Sequence, residues 1–240
     1  MKEANLSYKN SWFSAIIDGN DRDQGPGVGR QGSGGREQGR KTRDWGWNLG
    51  IDKYVEGPLR IDLYHVPSGT PLKVKMLRAL WSLFQLPFLP HTPKALSPLR
   101  IALLRLFGAK IGPACEVGGG VKIWVPWNLT MGERSAIGFN AEIYNFAPVV
   151  IGRHVVISQY TYLCTSTHDY KHPNFPLVSK PIEIRSQAWV AADCLISPGV
   201  TIGEGAVIGA RSLVTKSMPA WMVCTGSPCK PIKARVINPL

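Results

Sequence analysis

The sequence predicts an all-β solenoid with an N-terminal helical extension. Three observations point there: aliphatic residues recur every six positions, small residues accompany them, and the pattern breaks once. Ile184, Val190, Ile196, Ile202, Ile208 and Val214 hold the period without a gap. Earlier runs repeat it at Ile111, Val117, Ile123 and Leu129, at Met131, Ile137, Ile143 and Val149, and at Ile151, Ile157 and Leu163. Glycine often follows the aliphatic residue, as at Gly112, Gly118, Gly132, Gly138, Gly152, Gly203 and Gly209. Four positions after it comes a modest side chain, as at Cys115, Ser135, Ala141, Ala188, Cys194 and Ala206. A helix has a period of 3.6 residues and a plain strand a period of 2. A period of six keeps strand parity and leaves room for a corner in each unit. Three units then close a triangular turn of about 18 residues, with the aliphatics stacked inside as ladders. Glycine is expected to carry the backbone through the corners.

Along the chain, four segments follow. Residues 1–70 read as a largely disordered or irregular extension. The stretch 19–43 is Gly-rich, polar and free of aromatics, so it cannot bury enough apolar surface to offset its ordering entropy. Residues 44–70 carry Trp45, Trp47, Tyr54 and Tyr64 among turn residues and receive no assignment. Residues 71–110 read as a basic amphipathic helical segment. A first helix over 72–86 places Leu72, Met76, Leu80, Leu83 and Phe84 near one face, and Pro87, Pro90 and Pro93 end it. A second helix runs from Ser97 or Pro98 through Phe107, with Ser97 as candidate N-cap and Gly108 as its stop. Lys73, Lys75, Arg78, Arg100 and Arg105 make both helices basic. They suit either a peripheral membrane contact through 72–108 or, as the reading we favour, packing on the end of the next domain. Residues 111–219 form the solenoid, and 220–240 form a basic tail.

Charge and cysteine usage bound the partners. The net charge is +12. Residues 71–110 hold seven basic groups and no acidic one, and 205–240 hold Arg211, Lys216, Lys230, Lys233 and Arg235, again with no acid. Such segments suit an anionic partner or a plain solvated face. The basic residues follow the helices and the tail, with no nucleic-acid module among them, so nucleic acid is not expected. The five cysteines (Cys115, Cys164, Cys194, Cys224, Cys229) show no metal-ligand spacing and read as reduced core residues. No signal peptide is evident at the start, and Met76–Leu89 is too short to span a bilayer. The expected location is cytoplasmic, with a peripheral membrane position left open.

The pattern breaks between Leu163 and Ile184, where TSTHDYKHPNFPLVSKP leaves the prism as a loop. Loops on rigid scaffolds are where functional side chains concentrate, and His168 lies in this one. The repeats, with STHDY at 166–170, FPLVSKPI at 175–182, AWVAADCLISPGVTIGEGAVIGARSLVTK at 188–216 and TGSPCKPIK at 225–233, resemble the hexapeptide acyltransferases. The resemblance covers about 98–235 and is strongest to the colanic acid biosynthesis acetyltransferase branch, akin to galactoside, maltose and nodulation-factor O-acetyltransferases. It implies a left-handed parallel β-helix, an exception to the right-handed crossover rule, and a homotrimer with sites between adjacent subunits. It also implies transfer of acetyl from acetyl-CoA to a saccharide hydroxyl, in exopolysaccharide or cell-surface glycan synthesis.

His168 matches the family's catalytic histidine, and an imidazole suits the removal of a hydroxyl proton at neutral pH. Asn145 matches a position that contacts the acceptor, where other members often carry an acid. The alternative for Asn145 is a corner residue that satisfies backbone groups. Asp169 is a second acceptor candidate, or a residue that shapes the loop. Trp189, Ala192, Ala210, Thr215 and Lys216 match positions lining the acetyl-CoA groove. Lys230 and Lys233 match basic positions near the nucleotide phosphates. Trp189 precedes a ladder residue and so should point outward. No metal is expected. The alternatives are N-acetylation of an amino sugar, a non-catalytic scaffold, or a zinc-dependent carbonic anhydrase of the same fold using His154, His168 and His172.

Overall fold

The computed structural model describes residues 71–238, so the expectations for 1–70 lie outside the described residues. Two helices lead into a parallel β-solenoid with three flat faces. The first face stacks Lys110–Ile111, Leu129–Met131, Val149–Ile151, Ile182–Ile184 and Thr201–Ile202. The second stacks Glu116–Val117, Ala136–Ile137, Val156–Ile157, Trp189–Val190, Val207–Ile208 and Met222–Gly226. The third stacks Lys122–Ile123, Glu142–Tyr144, Tyr162–Cys164, Leu195–Ile196 and Leu213–Val214.

Register confirms the period. Ile184 pairs with Ile202, Val190 with Ile208 and Ile196 with Val214, so residues 18 apart sit one coil above each other. Consecutive members of the aliphatic run thus fall on the first, second and third faces in turn. Ile137, Ile143, Ile157, Leu163, Ile184 and Ile196 are at most 1% exposed. Each ladder side chain buried this way stabilises the fold by about 1.5–3 kcal/mol. The small position is also internal, and where it is polar it bonds between coils. Ser135 Oγ donates to the Gly152 carbonyl (2.8 Å) and accepts the Val155 N–H (2.9 Å). Cys194 Sγ lies 3.1 Å from the Gly209 carbonyl, and burial pushes the Cys194 thiol up to about 11.

The glycines do a different job from the one expected of them. The left-handed backbone position at the corners is taken mostly by other residues, among them Ala114 (φ 52°), Arg134 (54°), His154 (55°) and Gln187 (62°). The repeat glycines are needed for close approach instead. A Cβ on Gly118 would lie 2.6 Å from the Phe139 nitrogen, and one on Gly152 would lie 2.5 Å from the Ser186 nitrogen. Both spacings are too short for any side chain.

The helices are α1 (Leu72–Leu83) and α2 (Ser97–Leu106), joined through 3-10 turns at Leu86–Phe88 and Lys94–Leu96. α2 packs on the end of the solenoid, as favoured, and its two arginines differ: Arg105 is exposed, whereas Arg100 is turned inward. Arg100 is fully buried. Its guanidinium donates to the carbonyls of Pro87 (2.6 Å), Val117 (2.9 Å), Thr92 (3.3 Å) and Pro93 (3.0 Å), and to Thr92 Oγ1 (2.6 Å). Arg105 donates to the Ile111 and Gly112 carbonyls. Ser97 opens the helix without capping it, and its hydroxyl accepts the Val117 N–H at 2.9 Å.

α1 ends at Leu83, and most of its expected apolar face is turned outward: Leu72, Met76, Leu80 and Leu83 are exposed, while the Phe84 ring, just past the helix, lies 5.3 Å from that of Phe107. Trp81 docks the helix instead. It is 2% exposed, its indole N–H donates to the Ile123 carbonyl at 2.7 Å, and its ring lies edge-on to Phe88 and Phe107. A large ring with one donor fills the open end of the first coil better than a row of leucines, because the last ladder carbonyls there need partners.

The basic tail is not a tail. Met222–Gly226 adds a parallel strand beside Val207–Ile208, and Cys229–Ala234 folds back on it antiparallel. This hairpin extends the second face and covers an edge that would otherwise expose unpaired backbone groups.

Candidate functional site

The excursion between Leu163 and Ile182 is a β-hairpin arm, more ordered than a loop. Ser166–His168 pairs antiparallel with Leu177–Ser179, which places His168 opposite Leu177. At its base the Ser166 and Ser179 hydroxyls lie 2.8 Å apart, and the Lys180 N–H donates to the Thr165 carbonyl. The arm leaves the prism at the corner between the third and first faces. Its tip is shaped by Asp169, whose N–H donates to the Pro176 carbonyl (2.9 Å) and whose Oδ1 accepts the Lys171 N–H (3.0 Å). The carboxylate is therefore turned into the arm's own backbone.

His168 is exposed on this arm and held at two points. Its Nδ1 lies 2.7 Å from the Phe175 carbonyl, and its ring stacks on the Phe175 ring at 5.0 Å with 19° between planes. A carbonyl oxygen only accepts, so Nδ1 carries the proton. The neutral imidazole then presents an unprotonated Nε2 to solvent. That is the tautomer a general base requires. Sequence reasoning missed the role of Phe175, because a contact across a hairpin depends on pairing register and leaves no periodic trace.

Asn145 lies one coil below, fully buried. Its Oδ1 accepts the Val125 N–H (2.9 Å) and its Nδ2 donates to the Val125 carbonyl (2.7 Å). It ties two coils together at the corner, as the alternative reading of a residue that satisfies backbone groups expects. The partly exposed side chains beside it, on its own coil and the one below, are aromatic. Trp124, Tyr144 and Phe146 form an edge-to-face cluster with centroids 5.1 and 4.8 Å apart. The Arg78 guanidinium lies 4.8 Å from the Phe146 ring and 5.4 Å from the Trp124 ring. Burial raises the Tyr144 and Tyr162 hydroxyls above the ordinary phenol range, so both stay neutral at any working pH.

The residues expected to hold the cofactor fall into two groups. Trp189 projects outward from the second face, its indole N–H on Ser158 Oγ at 3.0 Å. Ala192 and Ala210 sit one coil apart at the next corner, where the Arg211 N–H donates to the Ala192 carbonyl. Lys230 and Lys233 are exposed on the returning hairpin strand, opposite Thr225 and Val223. Thr215 and Lys216 are exposed at the other corner, two coils along from the His168 arm. Within one chain the prism thus separates His168 from Trp189, Ala192 and Ala210 by a whole face.

His154 lies at the corner between the first and second faces, away from His168 and His172 on the arm. Among the described residues no three metal-ligating side chains gather. A polar cavity of about 650 Å³ at that same corner, lined by Arg153, His154, Gln187, Glu204 and Arg235, does not include the arm.

No family model matches the chain. It is 44% identical over 169 residues to the colanic acid biosynthesis acetyltransferase WcaF of Escherichia coli (strain K12), spanning 70% of this chain and 91% of that protein. Among solved structures, it resembles the hexapeptide-repeat acetyltransferase VCA0836 of Vibrio cholerae O1 biovar eltor, complexed with acetyl coenzyme A. The TM-score there is 0.64 at 25% identity, over 71% of this chain and 93% of that one. It also resembles galactoside acetyltransferase in complex with coenzyme A, with a TM-score of 0.64 at 26% identity, over 70% and 86% of the two chains. With repeats, arm and relatives in agreement, the chain belongs to the hexapeptide-repeat acetyltransferases.

Proposed function

We propose that this protein transfers an acetyl group from acetyl-CoA to a saccharide hydroxyl in polysaccharide synthesis, with His168 as general base. The observation that carries the reading is the bond from His168 Nδ1–H to the Phe175 carbonyl, which leaves Nε2 free as an acceptor. In the step we assign to it, Nε2 takes the hydroxyl proton as that oxygen attacks the thioester carbonyl. The resulting imidazolium gives the proton to the CoA thiolate as the carbon–sulfur bond breaks. The named acetyl-CoA and CoA complexes of similar structures support the donor, and the relative named for colanic acid biosynthesis supports a glycan acceptor. The separation of His168 from the outward Trp189 within one chain supports completion of the site in a homotrimer. One subunit's arm would there meet another subunit's coil.

The test is thiol release from acetyl-CoA with a panel of saccharides, read together with product mass. Removing a positioned base costs about 10²–10⁴ in rate, so His168→Ala should lower kcat by that factor. Calorimetry should show acetyl-CoA binding retained. Turnover near that of the native protein would refute the assignment. Light scattering at the mass of one chain, 26.3 kDa, would refute the trimer.

A further inference from the structure

A surface helix ordinarily turns its apolar stripe inward, and α1 does the reverse. At about 100° per residue, Leu72, Met76, Leu80 and Leu83 fall within a band of about 80°. They are 72%, 65%, 47% and 72% exposed, whereas Trp81 on the opposite side is 2% exposed. Lys73 and Lys75 flank the band on either side, both exposed. Leu86, in the turn just beyond the helix, is also 72% exposed. Four large apolar side chains in a row, with lysines along both margins, form the section of a helix lying in a membrane interface. There the lysine stems follow the apolar surface and the ammonium groups reach the headgroups.

We propose that α1 docks this protein on an anionic lipid bilayer, its axis in the plane of the surface. Charge selects that occupant. From 71 to 115 the chain has no Asp or Glu, so two copies meeting face to face on this stripe would oppose lysine to lysine with no local carboxylate to pair them. A surface of anionic headgroups supplies the missing charge. The other basic side chain of α1, Arg78, is committed to the Trp124 and Phe146 rings on the inner side. α1 has 12 residues, about 18 Å of helix, and no described helix is long and apolar enough to cross a membrane. The contact is therefore superficial.

The test is co-sedimentation of the full-length protein with vesicles of pure phosphatidylcholine or with about 30% phosphatidylglycerol, at about 0.05 and about 0.5 M salt. At low salt, binding to the anionic vesicles should exceed binding to the neutral ones at least tenfold, and high salt should weaken it. Met76→Glu with Leu83→Glu should lower binding tenfold or more, while circular dichroism, mass in solution and acetyl transfer to a soluble acceptor stay unchanged. Lys73→Glu with Lys75→Glu, on exposed positions, gives the same readout without touching the apolar ridge. A native protein that stays in the supernatant with anionic vesicles overturns the proposal. So do variants that sediment equally well, since the contact then lies elsewhere. A variant whose mass in solution changes also overturns it, by making the stripe an interface between copies. Vesicle binding and acetyl transfer are read separately, so failure of one leaves the other standing.

Discussion

Arg100→Met tests how the helical cap is held on the solenoid. The guanidinium is fully buried, and burial lowers its pKa. Its acceptors are four backbone carbonyls and the Thr92 hydroxyl, not a carboxylate. A hydrogen bond from a charged donor contributes about 1.5–3 kcal/mol net, and three of the five contacts share one nitrogen. Methionine recovers several kcal/mol of desolvation, because a buried charge is costly to maintain. The Pro87, Thr92 and Pro93 acceptors are only partly buried and can take water, whereas the Val117 carbonyl is buried and would be orphaned. The net loss should be about 1–3 kcal/mol, the cost of the orphaned carbonyl. Urea unfolding followed by circular dichroism reads it directly, as a lower midpoint. Acetyl transfer below the transition should stay within about threefold of native, because the His168 arm stands coils away and shares none of these bonds. A loss under about 1 kcal/mol with the fold intact would refute the claim that these bonds hold the cap.

Gly152→Ala should destabilise the chain by several kcal/mol, because its new Cβ meets the Ser186 backbone of the next coil at the corner between the first and second faces. His154→Gly, at a left-handed φ of 55°, should change thermal stability by less than about 1 kcal/mol. The Cys194 and Cys224 thiols are buried and pushed up to about 11, so they stay protonated in the fold while an unfolded chain ionises them near 8.5–9. Stability is then full below about pH 8.5 and falls between about pH 9 and 11, by up to roughly 1.4 kcal/mol per pH unit per thiol. Urea midpoints across that range check it, and a flat profile would contradict the burial. Lys230→Ala with Lys233→Ala should weaken acetyl-CoA binding more at low salt than at high salt by calorimetry. Equal affinity at both salts would remove the phosphate role.

Much of the scaffold was legible because a solenoid is written in one dimension. Each coil touches only its neighbours, so a ladder such as Ile184–Ile202 is a repeat in sequence before it is a contact in space. The arm was legible for the same reason, as the one interruption of that repeat. The glycines were read as conformational aids because left-handed corners favour glycine in general. Which residue occupies the left-handed position, and which lies against the next coil's backbone, is decided by strand spacing.

The chain's own residue order determined the class of fold and the place of the arm, since both follow from local periodicity and its breach; the choice of His168 over His172 within the arm rests on the family resemblance of the STHDY motif. Tertiary structure alone decided what depends on contacts between distant segments. Pairing across the arm set the tautomer of His168 through the Phe175 carbonyl, and the demand of the first coil's open end for a ring and a donor buried Trp81. That in turn left the leucines of α1 facing outward. A stripe of apolar residues on a helix records only that one face differs from the rest; which way it turns depends on what the opposite face can bond.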